Sequence, residues 1–180
     1  MKKEEINNVN QKAQKSINFL KHKDKIRVLF VCLGNICRSP AAQGVFQAFV
    51  DSEGQSGRFL IDSAGTGNYH IGDLPDKRMR IHAVRRGYDL THRARQFKIS
   101  DFDDFDIIIP MDESNRINLK RLAPTADHEK KIIPMSKFFS DYTRYDYVPD
   151  PYYEGSEGFE LVLDLLEQSM ENLYKFLTQQ

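Results

Sequence analysis

The sequence has no tryptophan and only two cysteines among its 180 residues, Cys32 and Cys37. Two cysteines that lie five residues apart do not form the disulfide framework of a small secreted protein. We therefore expect reduced thiols and a cytoplasmic location. No apolar run approaches the roughly 18 residues of a membrane span, and no signal-peptide core precedes the first strand. These absences argue against a secreted protein and against a membrane protein.

Neither sign of charge is in excess, because 26 basic residues balance 26 acidic ones. A neutral chain of this kind gives no reason to expect a nucleic acid or an anionic membrane as partner. The five histidines are scattered without metal-ligand spacing, and the glycine-lysine loop that binds nucleotides is missing. We expect no metal and no other cofactor. The length fits one domain with a sizeable core.

The most informative stretch runs from residue 25 to residue 40. Val28 to Val31 form a continuous apolar run, which predicts a strand that is buried on both faces. Ser39 and Pro40 are then expected as the N-cap and the first position of a helix. Backbone N–H groups of a tight loop and a helix N-terminus form a site for anions, and Gly34 allows the chain to curl inward.

Two reactive side chains lie in this predicted anion site. A thiol has an ordinary pKa of about 8.5, and a helix N-terminus or a nearby cation lowers it, so Cys32 is a candidate nucleophile. The planar guanidinium of Arg38 is suited to gripping two phosphate oxygens. A sulfur nucleophile in a phosphate site indicates transfer of a phosphoryl group to sulfur.

The ten residues from Val31 to Pro40 resemble the signature loop of the low-molecular-weight protein tyrosine phosphatases. Further matching segments cover most of residues 26–178, namely Asp62–Gly65, Thr91–Gln96, Met111–Asn115 and Asp150–Tyr153. The resemblance implies a hydrolase that removes phosphate from phosphotyrosine in proteins, and from aryl phosphates, through a cysteinyl-phosphate intermediate. It implies a phosphotyrosine-containing protein as partner.

The resemblance also implies residue roles. Cys32 would be the nucleophile, Arg38 would bind the phosphate oxygens, and Asp150 would act as general acid and later as general base. The rest of the phosphate-binding loop would comprise Leu33, Gly34, Asn35, Ile36, Cys37 and Ser39. Ser63 and His92 would support this loop by hydrogen bonds. Tyr69, Tyr152 and Tyr153 would line the substrate pocket.

Short strand patterns alternate with helical ones along the chain. After the first strand, strands are predicted at Phe59–Ile61, Ile107–Ile109 and Lys131–Ile133. Such alternation predicts an α/β fold, a doubly wound four-stranded parallel sheet flanked by helices, with the phosphate-binding loop after the first strand. In these sheets ligands bind at the carboxyl ends of the strands.

Residues 1–24 carry apolar side chains at helical spacing, at Ile6, Val9, Ala13, Ile17 and Leu20. This pattern predicts an amphipathic helical extension before a phosphatase domain that spans residues 25–180. The extension either packs on the body of the protein or serves as an arm for a partner chain. We expect a monomer or a weak homo-oligomer.

Two further functions remain open alongside the tyrosine phosphatase. Arginine phosphatases resemble the chain, but they carry threonine where this chain has Ile36, and they lack the paired tyrosines. The non-enzymatic alternative is a catalytically weak module that binds phosphorylated ligands. Related arsenate reductases need cysteines beyond Cys32 and Cys37, which argues against their chemistry. Because these two thiols share one loop, we also expect oxidation to join them in a disulfide.

Overall fold

A computed structural model describes residues 20–178 of the chain. Its sheet has three parallel strands in the order β2-β1-β3: β1 (Ile26–Cys32), β2 (Phe59–Gly65) and β3 (Ile107–Pro110). Every residue of β1 except Arg27 is buried, as expected for a central strand with helices on both faces. The α/β fold with a parallel sheet is therefore confirmed, and β1 and β2 are longer than the sequence predicted.

The predicted fourth strand is reduced to one bridge. Ile132 pairs in parallel with Ile108, and the hydrogen bonds are Ile108 N–H to Lys131 O (2.9 Å) and Ile133 N–H to Ile108 O (3.0 Å). The N–H groups of Lys131 and Ile132 are instead used by the turn that precedes them. Pro134, which has no N–H group, follows directly. The segment lies where the sequence placed it but is too short for a full ladder.

Six α-helices that lie wholly within residues 20–178 connect and cover the strands. They are α1 (Arg38–Ser52), α2 (Lys77–Arg85), α3 (Asp101–Asp104), α4 (Glu113–Leu122), α5 (Ala126–Glu129) and α6 (Ser156–Thr178), with short 3₁₀ helices at Ser56–Arg58 and Met135–Phe138. Successive side chains of β1 point to opposite faces of the sheet, as in any strand. Phe30 faces the larger apolar cluster under α1 and α6, whereas Leu29 and Val31 face a smaller one around Phe102 and Leu119.

The start of α1 differs from the prediction. The helix begins at Arg38, and its N-cap residue is Cys37, which makes no capping hydrogen bond through its side chain. The prediction of Ser39 as N-cap was wrong, because the Ser39 hydroxyl bonds to groups of the loop instead. Pro40 still lies in the first turn, where its missing N–H costs no helical hydrogen bond.

The first described residues join the body of the protein. Leu20 is 7% exposed and belongs to the larger apolar cluster. Lys21 O accepts a hydrogen bond from Arg58 Nη2 (2.8 Å), and Lys23 forms an ion pair with Asp106. Most of the predicted extension, residues 1–19, lies outside the described residues.

No helix in residues 20–178 is both long and apolar enough to cross a membrane.

Candidate active site

The loop that follows β1, residues 32–38, lies at the carboxyl edge of the sheet, and we call it the phosphate loop. It forms the floor of a cavity of about 390 Å³. The cavity is lined by Cys32, Leu33, Gly34, Ile36, Cys37, Arg38, Tyr69, His70, Asp150, Tyr152 and Tyr153. The structure thus brings together the three predicted catalytic residues and the three predicted pocket tyrosines, which are distant in sequence.

The sulfur of Cys32 lies at the end of β1 and is almost fully buried. Asn35 N–H donates to Cys32 Sγ (3.3 Å), and Ser39 Oγ lies 3.0 Å from the same sulfur. Ser39 Oγ accepts a hydrogen bond from Asn35 Nδ2 (2.8 Å), so its own proton is left for Cys32 Sγ, which lies nearer than the alternative acceptor Ala64 O (3.4 Å). Two donors and the N-terminus of α1 therefore stabilise negative charge on Cys32.

The guanidinium of Arg38 is buried beside the sulfur and is held from two sides. Its Nη1 donates to Asp112 Oδ2 (2.6 Å) and to Val148 O (3.2 Å), and its Nη2 donates to Asp150 Oδ2 (3.2 Å). Burial alone would lower the pKa of Arg38, but Cys32 and the two aspartates together raise it. Arg38 therefore stays cationic at the mouth of the phosphate loop.

Asn35 organises the underside of the loop. Its backbone has φ 56°, in the left-handed region that asparagine tolerates better than most residues. Its Nδ2 donates to Ser39 Oγ and to Ser63 Oγ (3.0 Å), and its Oδ1 accepts from His92 Nε2 and Arg95 N–H (both 3.0 Å). The predicted supporting residues Ser63 and His92 therefore both contact Asn35.

A second layer of polar groups holds these supports. Ser63 donates its hydroxyl to Gln43 Oε1 (2.6 Å), and His92 Nδ1 lies 3.5 Å from Asp62 Oδ1. Burial lowers the pKa of His92 and outweighs the opposite influence of Asp62. Because Asn35 Oδ1 can only accept a hydrogen bond, His92 Nε2 is the donor in their contact.

Main-chain contacts brace the loop from the end of β2. Thr66 N–H donates to Cys32 O, and Gly67 N–H donates to Leu33 O (both 2.9 Å). A Cβ atom on Gly65 would lie 2.6 Å from Leu33 O, which is closer than such atoms approach in proteins. Gly65 is therefore required for two backbones to pass this close to each other.

The segment that carries Asp150 covers the other side of the cavity. Tyr152 N–H donates to Asp150 Oδ1 (3.1 Å), and the Asp150 side chain is 42% exposed. The rings of Tyr152 and Tyr153 pack edge to face, with centroids 4.9 Å apart. Tyr153 and Tyr69 are largely exposed at the rim, and Tyr152, at 36% exposed, is the most buried of the three tyrosines.

Cys37 lies in the same loop but in a different environment. It is buried, and burial raises the pKa of its thiol above the ordinary value, with Asp76 and Cys32 adding to the effect. Both cysteines are free thiols. Cys37 is therefore a protonated neighbour of the candidate nucleophile.

The family model described as low molecular weight phosphotyrosine protein phosphatase matches residues 27–180. The chain belongs to this family. Its members are hydrolases, and the chain is accordingly an enzyme of this class. The match begins one residue into β1 and includes every residue of the cavity described above.

Individual relatives agree with the family assignment. A Schizosaccharomyces pombe low molecular weight phosphotyrosine protein phosphatase is 44% identical over 138 residues, which are 74% of this chain and 85% of the yeast protein. The crystal structure of a protein tyrosine phosphatase from Entamoeba histolytica, with Hepes in its active site, has a TM-score of 0.81 and 41% identity. That comparison covers 83% of this chain and 95% of the other.

A second similar structure is that of a protein with a different activity. The crystal structure of a Drosophila arginine phosphatase has a TM-score of 0.78 and 29% identity, covering 83% of this chain and 96% of the other. The fold therefore does not by itself separate phosphotyrosine from phosphoarginine as substrate.

Sequence reasoning missed several residues of the phosphatase site. Asp112 lies in a segment that resembles the family but was given no role in the site, whereas in the structure it caps α4 through a hydrogen bond from Asn115 N–H (2.8 Å) and accepts one from Arg38 Nη1. Its position directly after β3 was a usable signal, because carboxyl ends of parallel strands meet at one edge. His70, at the cavity rim, and Gln43, under Ser63, gave no comparable signal in the sequence.

Proposed function

We propose that the chain hydrolyses phosphotyrosine in proteins, and aryl phosphates, through a phosphocysteine intermediate on Cys32. The observation that carries the proposal is the placement of Cys32 Sγ in one cavity with Arg38 and Asp150, beside the aromatic wall of Tyr152. Because Cys32 must stay reduced to act, the proposal places the reaction in the reducing cytoplasm.

In the first step Cys32 Sγ attacks phosphorus and the bond from phosphorus to the aryl oxygen breaks. The departing phenolate is a strong base, with a conjugate acid pKa of about 10, so a proton from Asp150 lowers the barrier. Arg38 binds the oxygens of the transferring group and balances their charge. Bound phosphate competes with Asp150 for Arg38 Nη2.

In the second step Asp150, now a carboxylate, accepts a proton from a water molecule. The water oxygen attacks phosphorus, the bond from sulfur to phosphorus breaks, and inorganic phosphate leaves. The electron pair of that bond returns to Cys32 Sγ, where the Ser39 hydroxyl and Asn35 N–H stabilise the thiolate. The same two donors therefore assist both halves of the reaction.

The shape of the cavity supports an aryl phosphate as substrate. Leu33, Ile36 and Tyr152 form apolar walls above the phosphate loop. A ring held between them would carry its phosphate down to Cys32, whereas the short side chains of phosphoserine would leave the walls unfilled. The apolar area buried by the ring would add to the binding free energy.

Phosphoarginine is the second candidate substrate, because the chain is similar to the Drosophila arginine phosphatase. Against it, the chain has Ile36 in the cavity wall where the resemblance to arginine phosphatases requires threonine. An isoleucine offers no hydroxyl group to a guanidinium. A module that binds phosphorylated ligands without turnover is the third candidate, and it would not need Asp150.

One experiment separates the three candidates. The purified chain is assayed with a phosphotyrosine peptide, a phosphoarginine peptide of the same sequence and 4-nitrophenyl phosphate, and each assay is repeated with Cys32→Ser. We expect turnover of the first and third substrates, and phosphate binding without turnover in Cys32→Ser. A higher kcat/KM for phosphoarginine would favour the second candidate, and binding without turnover by the parent would favour the third.

A further inference from the structure

The guanidinium of Arg78 lies against the outer side of the aromatic wall. Its central carbon is 5.4 Å from the ring centroid of Tyr152 and 4.9 Å from that of Phe159. Arg78 is the second residue of α2, and Phe159 lies in the first turns of α6. Tyr152 thus lines the cavity and also contacts a cation that is not part of the cavity lining. A cation over an aromatic face is attracted by the ring quadrupole.

Arg78 is itself fixed to the phosphate loop through Asp76. Its Nε and Nη2 donate to the two oxygens of Asp76 at 3.0 and 2.8 Å, a forked geometry that sets the plane of the guanidinium. Asp76 N–H in turn donates to Ile36 O in the phosphate loop (2.8 Å). The hydrogen bonds from Arg78 lower the pKa of Asp76, so the pair is charged at neutral pH.

The position of Tyr152 in turn affects the position of Asp150. Tyr152 N–H donates to Asp150 Oδ1, so a movement of Tyr152 also moves the carboxyl group. Val148 and Pro151 are buried in this segment, whereas the Asp150 side chain is 42% exposed and Tyr153 is 92% exposed. The other contact of the Asp150 carboxyl group is Arg38 Nη2, for which bound phosphate competes. A continuous series of contacts therefore runs from Ile36 through Asp76, Arg78 and Tyr152 to Asp150.

We propose that Arg78 is a positioning residue that holds Tyr152, and through it Asp150, over the phosphate loop. Arg78 touches none of the reacting atoms and acts only through the segment that carries the acid. The proposal rests on the general-acid function proposed for Asp150. If Arg78 sets the distance between the Asp150 carboxyl group and the leaving oxygen, the loss caused by substituting Arg78 depends on how basic the leaving group is.

The test compares two substrates whose leaving groups need the acid to different degrees. Phenyl phosphate releases a strongly basic phenolate, whereas 4-nitrophenyl phosphate releases a weakly basic one. The measured quantity is kcat/KM, which reports the steps up to phosphoryl transfer to Cys32. Arg78→Lys keeps a positive charge opposite Asp76 but cannot lie flat over two rings.

We expect Arg78→Lys to lower kcat/KM for phenyl phosphate by roughly three- to tenfold, the range of one or two cation–π contacts. For 4-nitrophenyl phosphate we expect a change of less than about twofold, because little general acid is required. In an Asp150→Ala background the same substitution should have no further effect on phenyl phosphate. Arg85→Lys, an exposed position at the other end of α2, is the matched control and should change neither substrate.

Three results would overturn the proposal. The first is an equal loss on both substrates together with weaker inhibition by inorganic phosphate, which would show that Arg78 acts through charge at the phosphate site. The second is a loss on phenyl phosphate that persists at full size in the Asp150→Ala background. The third is no change on either substrate. If Asp150→Ala alone showed no dependence on the leaving group, the general acid itself would be refuted, so the two proposals fail in distinguishable ways.

Discussion

Arg38 Nη1 and Asp112 Oδ2 lie 2.6 Å apart, and the same carboxylate caps α4 through Asn115 N–H. One side chain at the end of β3 therefore both fixes the helix that follows and balances a cation that is only 3% exposed. A buried cation that loses such a partner is strongly destabilising, because its charge is left uncompensated.

Asp112→Asn should accordingly weaken the fold in a way that phosphate repairs. Asparagine keeps the size and the capping oxygen but not the charge. We expect the free energy of unfolding to fall by roughly 1–3 kcal/mol, less than for a fully buried pair because Asp112 is partly exposed. Urea unfolding with and without inorganic phosphate checks this. Phosphate should stabilise the variant more than the parent, and equal stabilisation of both would contradict the expectation.

Asp150→Ala should slow substrates with basic leaving groups far more than others. General acid catalysis contributes about 10²- to 10⁴-fold, and phenyl phosphate needs most of it. The ratio of kcat/KM for 4-nitrophenyl and phenyl phosphate is the measurement. The control is Asp141→Ala, at an exposed position in the connection between the 3₁₀ helix Met135–Phe138 and α6, which also contains Asp150. A uniform loss across leaving groups would mean that Asp150 orients Tyr152 rather than donating a proton.

These residues also illustrate what the sequence could predict. Cys32, Arg38 and Asp150 were found because each lies in a short motif, and the structure brings them to one cavity. The contact between Arg38 and Asp112 was missed because it joins positions 74 residues apart that no local pattern connects. Motif reasoning therefore predicted residues that lie together in one cavity, and the supports Ser63 and His92, but it gave no role in the site to Asp112 or Gln43.

Two predictions about the fold were wrong for local physical reasons. Ser39 has the sequence preference of an N-cap, but its hydroxyl bonds to groups of the phosphate loop, and α1 begins at Arg38, two residues earlier than that cap would place it. Lys131–Ile133 has the composition of a strand, yet two of its N–H groups are taken by the preceding turn. In both cases tertiary contacts overrode a local propensity.

The buried thiol of Cys37 should make stability fall in alkaline solution. Its pKa is raised in the folded state, so the folded protein keeps a proton that the unfolded chain loses above about pH 9. The resulting stability is complete below pH 9 and is lost as pH rises, by at most about 1.4 kcal/mol per pH unit. Urea unfolding at pH 8, 9 and 10 would show it. The loss should be smaller in Cys37→Ser, and parallel curves for both proteins would contradict the assignment.

The parent and Cys37→Ser should also differ in how much activity they recover after oxidation. We expect peroxide to convert Cys32 to a sulfenic acid. Cys37 Sγ then attacks that sulfur, the proton of its thiol leaves with the displaced hydroxyl group as water, and a disulfide forms. After peroxide and then dithiothreitol, the parent should recover its activity. Cys37→Ser should stay largely inactive because further oxidation to sulfinic acid is irreversible. Equal recovery of both proteins would leave Cys37 with a packing role only.

Two deletions at the amino terminus test whether this segment contributes to stability or to turnover. Deleting residues 1–19 leaves every contact described here in place, so kcat/KM should stay within about twofold of the parent. Deleting residues 1–24 also removes Leu20 and the ion pair of Lys23 with Asp106. Loss of one buried leucine should lower the free energy of unfolding by roughly 1.5–3 kcal/mol. A folded variant without activity would show that residues 1–24 take part in the reaction.

The contact of Gly65 with Leu33 O bears on how this enzyme could be redesigned. The end of β2 supports the phosphate loop by main-chain atoms, through two N–H donors and a glycine that leaves no room for a side chain. The curvature of the loop is therefore largely independent of the side chains that point into the cavity. Libraries that vary Leu33, Ile36 and Tyr69 could search for new substrates on an unchanged scaffold, provided that Gly65 is kept.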